Sequence, residues 1–219
     1  MSSAYQLVIF DWEGTIADTL GVILHTVATE AKMLGFGDID PYQARKYADL
    51  GLVQAVKKTL PNLTLRQQED LLQAVQSAMI SRPTEVRLIP GVLEFIQQLH
   101  QAKVDLAIAT NKGHNSLIRA LQATELDQLF KVTRSAGQVP AKPCPQMLEE
   151  IMEEFGRDPS STLMIGDSTT DMEMAKRINV NAIGMDFYHQ QEDALKAAGA
   201  LAVFDDYKLL SAYLMLPEA

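Results

Sequence analysis

Residues 8–19 read VIFDWEGTIADT: an apolar run ends abruptly in two carboxylates one residue apart, Asp11 and Glu13, followed by Gly14 and Thr15. A short unbroken apolar run bounded by a turn signal reads as a strand buried on both faces, and strands of that kind belong to parallel sheets covered by helices. Ligands of open α/β sheets bind beyond the carboxyl ends of the strands. The two acids therefore stand where such a sheet does its chemistry.

Working outward, the same rhythm repeats. YQLVIF, VDLAIAT, TLMIG, NAIGM and LAVF read as buried strands, and GVLEFIQQLHQA, NSLIRALQA, PQMLEEIMEEFG, DMEMAKRI and QEDALKAAG read as helices between them. Alternating strands and helices predict an α/β fold, a Rossmann-like parallel sheet covered on both faces. One stretch breaks the alternation. From 17 to 85 only helix signals occur: Asp18 is an N-cap, Gly35 and Gly37 punctuate, and TLRQQEDLLQAVQSAMI starts on a threonine cap and carries a helical apolar stripe. The expected organisation is a core of residues 1–16 and 86–219 with a helical insertion at 17–85. No repeat or low-complexity tract is present.

The chain has 219 residues, 47% of them hydrophobic, enough for one well-buried core and a modest second unit. With 19 basic against 28 acidic residues, its formal charge is −9 and it holds no long basic tract, which excludes phosphate-backbone recognition by electrostatics alone. A nucleic-acid partner is not expected. An anionic ligand would need local positive charge from a metal, a lysine or backbone N–H groups. Cys144 is the only cysteine, so no intrachain disulfide forms. With no leader-like segment and no apolar run of membrane-spanning length, the expectation is a cytoplasmic protein, monomer or homodimer, with no membrane association.

The strand ends collect a coherent set of side chains. After the first strand come Asp11, Trp12, Glu13 and Thr15; after the second, Thr110, Asn111 and Lys112; then Lys142 in AKPCP; and after TLMIG come Asp167, Ser168 and Asp171. Taken singly, a strand-end aspartate is an ordinary turn residue, Asp171 an acid suited to the first turn of a helix, and Thr110 a helix cap. Together they make another set. Asp11, Asp167 and Asp171 offer hard oxygen ligands of the kind Mg²⁺ takes, while Thr110, Lys142 and the turn N–H groups suit a phosphoryl group and its developing charge.

In that order, DWEGT, ATNK, AKP and IGDSTTD resemble the four signature motifs of the haloacid dehalogenase superfamily, and YADLGLVQAVKKTLP in the insertion is similar to the cap of phosphoglycolate phosphatase relatives. The resemblance implies a Mg²⁺-dependent phosphatase for a small phosphorylated metabolite. Asp11 takes the nucleophile's place, Glu13 that of the acid/base, and Thr110 and Lys142 those of the phosphate-holding residues. Asp11, Asp167, Asp171 and Glu13, the last through its backbone carbonyl, take the metal-binding places. Trp12, Asn111, Lys112 and, in the cap, Gly51 and Leu52 are the implied substrate-binding positions.

Glu13 departs from the pattern, which has aspartate there. One more methylene moves the carboxylate by roughly 1.5 Å on a fixed backbone, and misplacement on that scale can cost about a hundredfold in rate. The proton chemistry is unchanged, because the two carboxyls have similar intrinsic acidity. The readings that stand beside the phosphatase are a non-catalytic phosphometabolite-binding protein in which Glu13 has spoiled turnover, a sugar phosphomutase, and a phosphonatase. The phosphonatase is weakened because Gln54 stands where a cap lysine would be required.

Overall fold

The computed structural model describes residues 5–40, 52–81 and 86–216, with residues 52–55 known by their backbone alone. The chain divides into two compact units, one of Met1–Ala17 with Leu88–Ala219 and one of Asp18–Arg87.

The larger unit is built on a six-stranded sheet of β1 (Leu7–Phe10), β2 (Asp105–Gly113), β3 (Val132–Ala136), β4 (Thr162–Gly166), β5 (Asn181–Met185) and β6 (Ala202–Phe204). The strand order is β3-β2-β1-β4-β5-β6 and every pairing is parallel. All four residues of β1 are buried, as expected of a central strand with helices on both faces. Leu7 and Ile9 share a cluster with Met147, Leu148 and Ile151 from one side. Phe10 points the other way and meets Phe95 and Phe130 edge-on, at centroid distances of 6.1 and 5.8 Å. This alternation is the period of two that a pleated strand imposes. Met147, Met164, Met172 and Met174 are fully buried, as flexible side chains filling the core.

The smaller unit holds three described helices: α1 (Thr19–Met33), α2 (Leu52–Thr59) and α3 (Leu65–Ser81). Asp18 caps α1 by accepting from the Gly21 backbone N–H at 3.0 Å. Leu24, Val27, Ala31, Ile39, Val56, Leu71 and Val75 form the unit's own apolar core. Among the described residues no helix is long and apolar enough to cross a membrane.

Three described elements of the larger unit do not appear in the sequence reading: β3, a 3₁₀ turn at Pro159–Ser161, and the C-terminal helix Tyr207–Tyr213 with its Asp206 cap. The second strand also runs further than expected, so Thr110, Asn111 and Lys112 lie in its last residues rather than after it. The pairing of β2 with β3 shifts register between Thr110 and Gly113, which redirects that strand end.

Candidate active site

The sheet sets the site. Phe10 of β1 pairs with Ile108 of β2 and Ile165 of β4, and the Asp11 N–H donates to the Ile165 carbonyl at 2.9 Å. Strand order reverses direction between β1 and β4, and at such a switch point the loops part and leave a crevice. Into it project the turn after β1, the end of β2 and the turn after β4. Asp11, Glu13, Thr110, Asn111, Lys112, Lys142, Asp167, Ser168 and Thr170 line a cleft of about 440 Å³.

At its most buried part, the Lys142 ammonium donates to Asp11 Oδ1 at 2.7 Å and to Asp171 Oδ1 at 2.6 Å. The lysine and Asp171 side chains are 2% and 0% exposed. The loop that carries Lys142 is held from β2, since its backbone N–H donates to the Asn111 side-chain oxygen at 2.9 Å. Asp171 is also engaged on its other oxygen, which accepts from the Ser168 N–H at 3.2 Å and from the Ser168 hydroxyl at 2.7 Å. These bonds tie the turn after β4 to the first turn of the next helix, Thr169–Lys176, as the third-position acid of a capping box does. Asp171 thus spends both oxygens on protein partners, one of them the lysine.

Charge is crowded here, and protonation equilibria respond. Burial pushes the Asp11 carboxyl up to about 6 against the pull of the Lys142 charge, with Asp171 adding to the rise and the Trp12 N–H opposing it. Asp167 is held well above its ordinary value, by burial first and then by Asp11 and Asp171. Burial alone would lower the Lys142 ammonium, but the charges of Asp11 and Asp171 outweigh it and the group is raised, so it stays protonated.

Gly14 explains how Asp167 reaches its place. Its φ is +74°, and a Cβ there would lie 1.9 Å from Asp167 Oδ2. Only glycine allows both the turn and the close approach of that carboxylate. Beneath the same turn, the buried Tyr207 hydroxyl donates to the Thr15 carbonyl at 2.8 Å.

The remaining candidates are distributed as follows. The Glu13 carboxylate pairs with the Lys112 ammonium. The Thr110 hydroxyl accepts from the Lys112 N–H at 3.2 Å. Trp12 is 1% exposed and its ring does not line the cleft; its carbonyl accepts from Ile16 and Ala17 to close the turn. Its contribution to the cleft is the backbone N–H beside Asp11. Leu52 begins α2 and its side chain is not described, while Gly51 lies outside the described residues. Ser168 and Thr170 line the cleft without having been singled out for a role, although the STTD stretch carries the spacing of a capping box. Tyr207 was missed entirely, since nothing local links it to a turn 192 residues earlier.

Asp11, Asp167 and Asp171 each offer a carboxylate oxygen within 4.8 Å of the others. Three acids face one ammonium, which leaves two negative charges to be met. Hard oxygen donors with that deficit fit a divalent cation. The raised Asp167 carboxyl fits as well, since a cation beside it favours its ionised form.

A parallel sheet with a switch-point cleft, a buried lysine between two aspartates and a third aspartate alongside places a charged site where α/β sheets of this kind bind their ligands. The chain belongs to the haloacid dehalogenase-like hydrolases, which match it over residues 8–185. Within curated proteins it is similar to the phosphoglycolate phosphatase of Synechococcus elongatus, 28% identical over 196 residues that cover 88% of this chain and 89% of that protein. It is equally similar to the phosphoglycolate phosphatase of Vibrio vulnificus strain CMCP6, 28% identical over 228 residues covering 94% and 97%. Its fold resembles that of a haloacid dehalogenase family hydrolase from Deinococcus radiodurans, solved with bound phosphate and sodium, with a TM-score of 0.78, 20% identity and full coverage of both chains.

Proposed function

We propose that this chain is a Mg²⁺-dependent phosphatase, phosphoglycolate-phosphatase-like, that hydrolyses a small phosphorylated metabolite through a phosphoaspartyl intermediate on Asp11. The observation that carries the reading is the Lys142 ammonium bonded to both Asp11 and Asp171 in a cleft that Thr110 and Asp167 also line. Asp11 Oδ forms the bond to phosphorus while the phosphorus–oxygen bond to the leaving alkoxide breaks. Lys142 holds Asp11 in its ionised form and, with the Thr110 hydroxyl, meets charge on the phosphoryl oxygens. Glu13 enters this step in its acid form and gives that proton to the departing alkoxide, which leaves it as the carboxylate that pairs with Lys112. It then takes a proton from the water that attacks the aspartyl phosphate, releasing inorganic phosphate and restoring Asp11. Asp11, Asp167 and the Glu13 backbone carbonyl would hold the Mg²⁺, with Asp171 supporting them, and the cation supplies Lewis-acid neutralisation of the phosphoryl group. The helical insertion is read as the cap that selects substrate, with Gly51 and Leu52 as its contributions.

The test is hydrolysis of p-nitrophenyl phosphate and of a panel of small phosphorylated metabolites. Turnover that requires Mg²⁺, stops on chelation and falls roughly a thousandfold or more in Asp11→Asn is the expected result. Tight phosphate binding with no turnover across the whole panel would instead make the chain a binding protein.

A further inference from the structure

Glu13 and Lys112 stand 99 positions apart in the chain, yet their side chains form an ion pair at the cleft. Both side chains are half-buried, at 35% and 22% exposure. The lysine is anchored at its base, because its backbone N–H donates to Thr110 Oγ1 at 3.2 Å and it sits near the end of β2. Lys142, the other cation lining the cleft among the described residues, is already engaged by Asp11 and Asp171. The cleft therefore divides its two ammonium groups between two jobs.

We infer that Lys112 is a positioning residue for Glu13, holding the longer glutamate carboxylate in a fixed direction at the place where the family resemblance has aspartate. The inference rests on the phosphatase reading of the site. A glutamate adds one rotatable bond and one methylene to the reach of an aspartate, so its carboxylate sweeps a larger volume unless it is tethered. Proton transfer requires that carboxylate within hydrogen-bond reach of the leaving oxygen and later of the attacking water. A fixed ammonium on the neighbouring strand removes the extra freedom. It also adds a charge-assisted bond whose geometry is set by the sheet. Lys112 and Glu13 then work as a unit, and an aspartate at position 13, one methylene shorter and less free to swing, depends less on the lysine.

A double-mutant cycle reads this dependence. In the wild-type background, Lys112→Met is expected to lower kcat by about 10- to 100-fold with KM within about twofold, and Lys112→Arg to retain most of the activity. In the Glu13→Asp background, the same Lys112→Met change is expected to cost less than about threefold. An equal loss in both backgrounds overturns the inference. So does a loss confined to KM, which would make Lys112 a substrate-anion contact. Crystal structures of wild type and Lys112→Met supply a readout independent of turnover: the Glu13 carboxylate should leave its wild-type place or lose its single conformation. An unmoved Glu13 overturns the inference even where the wild type hydrolyses nothing, whereas a phosphatase reading that fails is recognised by an inactive wild type indistinguishable from Asp11→Asn.

Discussion

Lys142 and Lys112 both bind carboxylates of the turn that follows β1, but they do so in different surroundings. Lys142 is 2% exposed and bridges two aspartates, while Lys112 is 22% exposed and meets one glutamate that is 35% exposed. A charge taken out of water is costly unless its partners are in place, so the inner cluster is interdependent: no member is tolerable alone. At the rim, water screens the pair and its net worth to folding is small. The inner lysine should therefore matter to folding as well as to its proposed role, and the outer one to its proposed role alone.

The comparison breaks most visibly at Lys142. Lys142→Met leaves Asp11 and Asp171 buried without their counter-ion, and unfolding in urea at pH 7 should show a loss of about 3 kcal/mol together with loss of hydrolysis. The deficit should shrink as pH falls, because the orphaned acids can then take up protons. Wild-type-like stability in this variant would mean that the cluster is far wetter than its geometry implies.

The next effect has the opposite sign. Asp167 is raised well above its ordinary value by burial and by Asp11 and Asp171. A raised acid binds its proton more tightly in the folded than in the unfolded chain, so its contribution to stability declines as pH rises from its unfolded value of 3.8 through its folded one. Metal-free Asp167→Asn should therefore be more stable than metal-free wild type at pH 8 and indistinguishable from it near pH 4. Asp11, pushed up to about 6, should show the same sense of pH dependence between about pH 4 and 6 in metal-free wild type. Adding Mg²⁺ should raise the wild-type Tm and leave Asp167→Asn unmoved, which calorimetry measures directly.

Smallest of all is the effect of Lys112→Met on folding. A pair this open to water at the cleft rim is worth less than about 0.5 kcal/mol, so the Tm should move by no more than about 2 °C even where turnover suffers. A large Tm loss would place this lysine with the inner cluster after all.

These contrasts also show what a linear chain can disclose. The central strand was legible because Leu7–Phe10 is buried on both faces and so shows no polar break. β3 was not, because it lies at the sheet edge, buries only Val132 and Ser135 with no regular alternation, and carries Arg134 at its centre, whose guanidinium bonds Glu150 and Glu154. A charged residue in a five-residue strand looks like loop until its partners are known. The residues gathered around the cleft could be nominated because strand ends of a parallel sheet converge, whatever the intervening chain does. Their pairings could not, since nothing in ATNK says that its lysine meets Glu13 rather than an anion from solvent. The extent of β2 was hidden for the same reason, being decided by neighbours distant in sequence.

The register between β1 and β4 carries a last consequence. Phe10 faces Ile165, so Asp11 and Asp167 sit one and two residues beyond a main-chain ladder. The spacing of these two acids along the main chain is thus an output of backbone hydrogen bonding in the middle of the sheet, while the seat of the Asp167 carboxylate also depends on the absence of a side chain at Gly14. Cation affinity should accordingly persist on warming until the central strands exchange their amide protons, and then vanish with them in a single step.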